Sequence, residues 1–137
     1  TDLIVGFPGE SDEDFEKTLE AIKKIRFSFV YAFKYSPRGN TAAARFKEQV
    51  PEDVKTKRLA RLNKLQDEIT LEINKAEHGK QREVLFLYES KKEKNIYYGR
   101  SEHFKLVRVF SKEDLIGKIK LVHIISSNKT ALEGHLC

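Results

Sequence analysis

Asp2-Leu3-Ile4-Val5-Gly6-Phe7-Pro8-Gly9-Glu10-Ser11-Asp12-Glu13-Asp14-Phe15 is the stretch whose reading decides the first half of the fold. Leu3, Ile4 and Val5 form a short apolar run. Residues 6–9 carry two glycines and a proline, and Ser11 with Asp14 has the spacing of a capping box ahead of a helix. The predicted order is strand, tight loop, helix. An apolar strand of this kind suits the middle of a covered parallel sheet, and ligands of such sheets sit beyond the carboxyl ends of the strands. The loop at residues 6–10 is therefore a candidate site wall, although the same residues also suit a turn that holds no ligand.

Outward from there, Phe15, Leu19, Ile22 and Ile25 recur at helical spacing, which predicts an amphipathic helix over residues 11–26. Asp12, Glu13 and Asp14 complement the positive end of its dipole. Glu10 precedes the cap and belongs to the loop. Residues 27–35, Phe-Ser-Phe-Val-Tyr-Ala-Phe-Lys-Tyr, are rich in aromatic and β-branched side chains and read as the next strand. Strand, helix and strand make one parallel crossover unit. Ser36-Pro37 ends the second strand, so Arg38-Gly39-Asn40-Thr41 continues as a loop at the same sheet edge as residues 6–10.

Val50-Pro51-Glu52-Asp53 opens a second helix with proline at its first position. Leu62, Leu65, Ile69, Ile73 and Ala76 mark an apolar stripe, and the helix is expected to reach about His78 with Gly79 as its C-cap. Lys55, Lys57, Arg58, Arg61 and Lys64 give it a basic side. Acidic residues are interleaved there, and that side reads either as a solvated face or as an RNA contact.

From Lys80 the pattern changes to short strands, at residues 83–88, 96–100, 105–110, 118–125 and 131–136, separated by polar turns. Five short strands with a basic surface suggest a small closed barrel of OB-like type, which binds oligonucleotides on one strand face and its loops. Such binding calls for cations at phosphate spacing and flat side chains that stack on unpaired bases. Lys80, Arg82, Lys91, Lys92, Arg100, Lys105 and Arg108 supply the first. Tyr97, Tyr98 and Phe104 are candidates for the second, with Tyr98 placed in the binding set. Strand alternation sends about half of such residues inward, so each tyrosine is either barrel core or stacking platform.

These motifs together resemble a family. Asp2 to Glu10, Tyr35-Ser36-Pro37-Arg38 and the helix start at Val50-Pro51-Glu52 are similar to the back half of radical-SAM methylthiotransferases, closest to the MiaB-type tRNA enzymes. The region after Lys80 resembles the TRAM domain, an RNA-binding module, through Tyr98-Gly99-Arg100-Ser101, Lys105-Leu106-Val107, Ile116-Gly117 and Leu132-Glu133-Gly134. It departs from the TRAM pattern at His103 and Phe104, where that family favours Asn. The loop after Arg38 departs too, keeping Thr41 but losing two prolines.

The resemblance implies a fold: residues 1–79 as an α/β fragment of a radical-SAM partial TIM-like barrel with a linking helix, and residues 80–137 as an all-β, OB-like TRAM barrel. It also implies an S-adenosylmethionine site walled by Ile4, Gly6, Pro8, Gly9 and Glu10 on one side and by Tyr35, Ser36, Pro37 and Arg38 on the other. The complete enzyme would methylthiolate an N6-modified adenosine beside the tRNA anticodon, using S-adenosylmethionine and two 4Fe-4S clusters. The cluster ligands would lie outside this chain, leaving the fragment inert by itself but able to bind tRNA. The sister family that modifies a ribosomal protein tends to be acidic after Tyr-Ser, and Arg38 argues against it. A non-enzymatic RNA-binding module is the alternative from another class.

Length and composition are consistent with these expectations. A chain of 137 residues accommodates one domain or two small ones. It begins at Thr1, directly on a buried-type strand, and has no methionine, which suggests a piece of a longer protein whose exposed sheet edges would favour self-association. No apolar run approaches the roughly 18 residues that span a bilayer, so a cytoplasmic protein is expected. A single cysteine, Cys137, rules out an internal disulfide or a multi-cysteine metal site within the chain. The four histidines are scattered without ligand spacing, and none is read as a metal ligand. Residues 1–79 hold 14 Lys and Arg against 14 Asp and Glu, whereas residues 80–137 hold 12 against 7, so the net +5 belongs to the second part. That asymmetry suits a phosphate-bearing partner there, or a solubilising surface.

Overall fold

The computed structural model describes residues Thr1–Cys137, which divide into two compact units, Thr1–Thr70 and Leu71–Cys137. In the first unit, β1 (Asp2–Val5) leads through the glycine loop into α1 (Asp12–Ile25), and β2 (Tyr31–Lys34) returns parallel to β1 with Leu3 opposite Ala32 and Val5 opposite Lys34. A single 3-10 turn, Ala43–Arg45, precedes α2 (Glu52–Lys75), whose last residues belong to the second unit.

The start of α1 forms as its sequence dictates. The Ser11 hydroxyl accepts from the Asp14 amide at 3.1 Å while the Asp14 carboxylate accepts from the Ser11 amide at 3.1 Å, which satisfies two of the amides that a helix start leaves unpaired. Phe15, Leu19 and Ile22 then bury one face with Val5, Val30, Leu62 and Ile69 as the core of the unit.

Three expectations are corrected here. The second strand covers only Tyr31–Lys34; residues 27–30 run outside the ladder, and the carbonyls of Phe27 and Ser28 accept from Gln66 and Thr70 of α2 at 2.8 and 3.4 Å. The sheet has two strands, so β1 is an edge strand with one neighbour rather than the middle of a sheet, and Ile4, Tyr31 and Phe33 are exposed. Finally, α2 ends at Lys75 rather than near His78. Residues 76–79 form turns, and Gly79, at φ +80°, donates to the Ile124 carbonyl at 2.8 Å.

The stripe that α2 buries is also more polar than its apolar periodicity suggests. Lys55, Arg58, Leu62, Gln66, Ile69, Thr70 and Asn74 are buried along the helix, and in the turns after it Glu77 is buried whereas Ala76 is exposed. Spacings of three and four residues place the helical ones on one face, and each polar member shown in a hydrogen bond reaches a loop carbonyl, a carboxylate or a neighbouring side chain.

In the second unit, β3 (Gln81–Glu89), β4 (Ile96–Ser101), β5 (Leu106–Phe110), β6 (Ile119–Ser127) and β7 (Leu132–Leu136) close a barrel in the order β3-β4-β5-β7-β6. All pairs are antiparallel except β5 with β7. Val84, Phe86, Tyr97, Val107, Val109, Leu115, Val122, Ile124 and Leu132 fill it. The five predicted strands are all present, with ends within two residues of expectation.

Two glycines of the quoted motifs are required by this closure. A Cβ on Gly99 would lie 2.5 Å from the Leu85 carbonyl oxygen and 2.6 Å from Val84 Cγ1, and one on Gly134 would strike the His123 carbonyl. Both places face backbone, which has little freedom to withdraw.

Candidate cofactor wall and nucleic-acid interface

In the first unit the two predicted walls are neighbours, because the Tyr35 amide donates to the Val5 carbonyl at 2.8 Å and so joins the two strand ends. Gly6 turns the chain at φ +72° and donates its amide to the Glu10 carboxylate, which closes the loop on itself. Glu10 also accepts from Arg58 Nη1 at 2.8 Å, and Arg58 Nη2 donates to Asp12 at 2.8 Å. The Arg58 side chain is 7% exposed, so this is a buried pair with its remaining hydrogen bond going to the Glu10 carbonyl at 3.0 Å.

Lys55 braces the other wall. Its Nζ donates to the Tyr35 carbonyl at 3.2 Å, and its aliphatic stem fills the space beside Gly6 that a side chain there would need. The amino-terminal part of α2 thus holds both loops, through two cations that sequence reasoning assigned to a basic surface. Their spacing of three and four residues ahead of Leu62 was the available signal. Arg61 pairs with Glu16 at 2.7 Å and lies 5.3 Å from the Phe15 ring centroid, so a third member of that basic side is likewise turned to α1.

Of the predicted cofactor residues, Gly6 and Pro8 are buried, Glu10 is held by Arg58, and Ile4, Gly9, Ser36, Pro37 and Arg38 are exposed. The Tyr35 hydroxyl is buried without a hydrogen-bond partner, and its ring packs edge-on against Phe7 at 5.2 Å. An open cleft of about 680 Å3 runs along Gly9, Glu10, Asp12, Val50, Val54 and Arg58, and none of residues 35–38 lines it.

In the second unit, pairing of Tyr98 with Arg108 and of Arg100 with Leu106 puts Tyr98, Arg100 and Arg108 on the outer face of β4 and β5. Tyr98 stacks on Tyr88 at 5.5 Å, while Tyr97 points into the core. Arg108 is gripped by Glu133 and by Glu93, the latter at 2.8 Å. Arg82 has the parity of the core residues Val84 and Phe86; it binds Glu77 at 2.6 Å and Glu102 at 3.3 Å at one end of the barrel.

Lys80 joins the same carboxylate at 3.0 Å, and the hydrogen bond from Arg82, helped by Lys80, pulls the Glu77 carboxyl down to about 2 despite its burial. Lys105 donates to Asn74 at 2.7 Å, and burial lowers its pKa against the opposing pull of Glu77. Lys91 and Lys92 are exposed in the turn after β3. The predicted cations therefore fall into an outer-face group, a turn group and an end group around Glu77, a residue that sequence reasoning did not single out.

With this geometry in place, three relatives stand out. The chain is 45% identical over 136 residues to the tRNA-2-methylthio-N(6)-dimethylallyladenosine synthase of Carboxydothermus hydrogenoformans, covering 99% of this chain and 31% of that protein. The proteins of the same name from Clostridium botulinum (strain Okra) and Sulfurovum sp. are each 46% identical, over 98% and 99% of this chain. The chain is a relative of these synthases. It spans about 30% of the length of the curated synthases it matches. No family model matches it. No helix is long and apolar enough to cross a membrane, and no group of three or more His, Cys, Asp or Glu is arranged to hold a metal ion.

Proposed function

We propose that the chain serves as the carboxyl-terminal part of a radical-SAM tRNA methylthiotransferase: its first unit completes the wall of an S-adenosylmethionine site and residues 80–137 hold tRNA by a TRAM-type barrel. The observation that carries this reading is the 45% identity, across 99% of the chain, to a synthase named for its tRNA product. The reaction of that parent protein is methylthiolation of an N6-modified adenosine beside the anticodon, carried out in the cytoplasm where tRNA resides.

The residues present fit the cofactor. Ile4 and Phe33 offer exposed apolar surface near two adjoining strand ends, Gly9 has open space where a Cβ would stand, and the orphaned Tyr35 hydroxyl is a polar group for a ligand to satisfy. Ile4, Gly9, Tyr35, Ser36 and Arg38 are the residues that would hold it, while Gly6, Pro8 and Glu10 shape the loop behind them. When bound, S-adenosylmethionine supplies the methyl group and the radical chemistry. The two 4Fe-4S clusters would take their ligands from outside this chain, which has one cysteine, and the chain alone is inert.

Fluorescence anisotropy of a labelled tRNA anticodon stem-loop titrated with this chain tests the nucleic-acid half, and saturable binding is the expected result. Equilibrium dialysis of S-adenosylmethionine against a parent protein of the relatives' length tests the other half, with Ile4→Asp predicted to weaken it. Undetectable RNA binding by the chain at low salt sinks the proposal.

A further inference from the structure

Between β4 and β5 the chain turns through residues 102–105, and Phe104 at its tip has φ 61° and is 82% exposed, the most exposed of the large hydrophobic side chains. A bulky residue in the left-handed region is unusual and costs free energy, and so does an aromatic ring in water. Both are imposed by the surrounding hydrogen bonds. The Phe104 amide donates to the Ser101 carbonyl at 2.9 Å, and the buried Ser101 hydroxyl accepts from the amides of His103 and Lys105 at 3.3 Å each. Arg100 Nη1 donates to the Phe104 carbonyl at 3.0 Å. The ring is therefore held outward by a rigid hairpin and pairs with no other ring of the chain.

We infer that Phe104 is a preformed stacking platform for an unpaired base of a bound RNA. This rests on the reading of the barrel as an RNA-binding module and selects, from three candidate aromatics, Phe104 rather than Tyr98, the one placed in the predicted binding set. Tyr97 is core and Tyr98 is already stacked on Tyr88. A flat, rigid face beside a cation is the chemistry that single-stranded nucleic acid requires. Arg100 and Lys105 flank the ring in sequence, and the one nearby acid, Glu102, is occupied by Arg82 and lies 3.6 Å from His103. A protein-protein contact would need a broader apolar surface than one ring. A fully paired RNA would offer the ring no exposed base.

The test uses the whole chain at fixed salt with two RNAs, a hairpin carrying 2-aminopurine in its loop and a blunt duplex of the same length. Phe104→Asn keeps a residue that tolerates the left-handed backbone and removes the ring; Phe104→Trp keeps a ring. Phe104→Asn is expected to lose about tenfold in affinity for the hairpin and to abolish the change in 2-aminopurine fluorescence, with duplex binding unchanged, while Phe104→Trp retains both. Wild-type affinity and fluorescence in Phe104→Asn overturn the inference while leaving RNA binding intact. Equal losses on hairpin and duplex overturn it in favour of a shape-keeping role. Failure of the wild-type chain to bind either RNA removes the underlying reading and this inference with it.

Discussion

Glu77 gathers Arg82 and Lys80 on one carboxylate, so a single residue at the start of the second unit carries a measurable pH dependence. Its pKa is lowered from 4.5 to about 2, first by the hydrogen bond from Arg82. An acid with a depressed folded-state pKa stabilises the fold fully above its unfolded value and loses that contribution as pH falls toward the folded value. At about 1.4 kcal/mol per pH unit, the displacement corresponds to about 3 kcal/mol as an upper figure, because Lys80 is half exposed and screened by water. Glu77→Gln is thus expected to lower the urea midpoint at pH 7 and to converge on the wild type as pH falls from 4.5 to 2. A difference that does not change with pH would show that the substitution disturbs packing instead. Gly99→Ala belongs to the same scale. Its Cβ would meet the Leu85 carbonyl at 2.5 Å, and overpacking against backbone is expected to cost about 1–3 kcal/mol, read as a lower melting temperature.

At the scale of elements, α2 determines whether the glycine loop keeps its shape. Removing Arg58 leaves Glu10, whose side chain is 11% exposed, as a buried charge without its cation; Arg58→Met is expected to cost about 3 kcal/mol. Glu10→Gln with Arg58→Met removes both charges and is expected to be more stable than Arg58→Met alone, a coupling that a double-mutant cycle in urea measures directly. Additive losses would mean that the two residues do not act as a pair.

The same helix shows how far sequence reading reached. Strands and α1 were legible because their apolar periodicity and the Ser11 cap are local signals, and the barrel because five such strands left closure as the way to pair every edge. The buried face of α2 was not. Lys55, Arg58, Gln66 and Asn74 sit inside because loop groups distant in sequence, at Tyr35, Glu10, Phe27 and Asn128, accept their hydrogen bonds. Periodicity counts apolar residues and does not register such partners. For the same reason residues 27–35 read as a longer strand than the ladder holds: their β propensity is real, but Gln66 and Thr70 take the carbonyls of Phe27 and Ser28. The candidate walls were legible as loops, but not the fact that Glu10 is spent on holding one of them.

At the scale of the whole molecule, the charge count and the ion pairs give different forecasts for how salt would weaken the proposed RNA binding. The predicted binding set contains seven cations, and if all met phosphates of single-stranded RNA the slope of log K against log salt would be about −5. Three of them, Lys80, Arg82 and Arg108, already have carboxylate partners, and breaking those pairs to meet a phosphate exchanges one anion for another with little gain. Lys105 is bonded to Asn74 and feels the Glu77 carboxylate, which leaves Lys91, Lys92 and Arg100, so the expected slope is about −2. Anisotropy titrations of a tRNA stem-loop between low and moderate salt measure it. Arg100→Ala should make the slope shallower by about 0.7, whereas Arg108→Ala should leave it nearly unchanged. A slope near −5, with Arg108→Ala as damaging as Arg100→Ala, would mean that the ion pairs open when RNA binds and that the barrel face is remodelled by its partner.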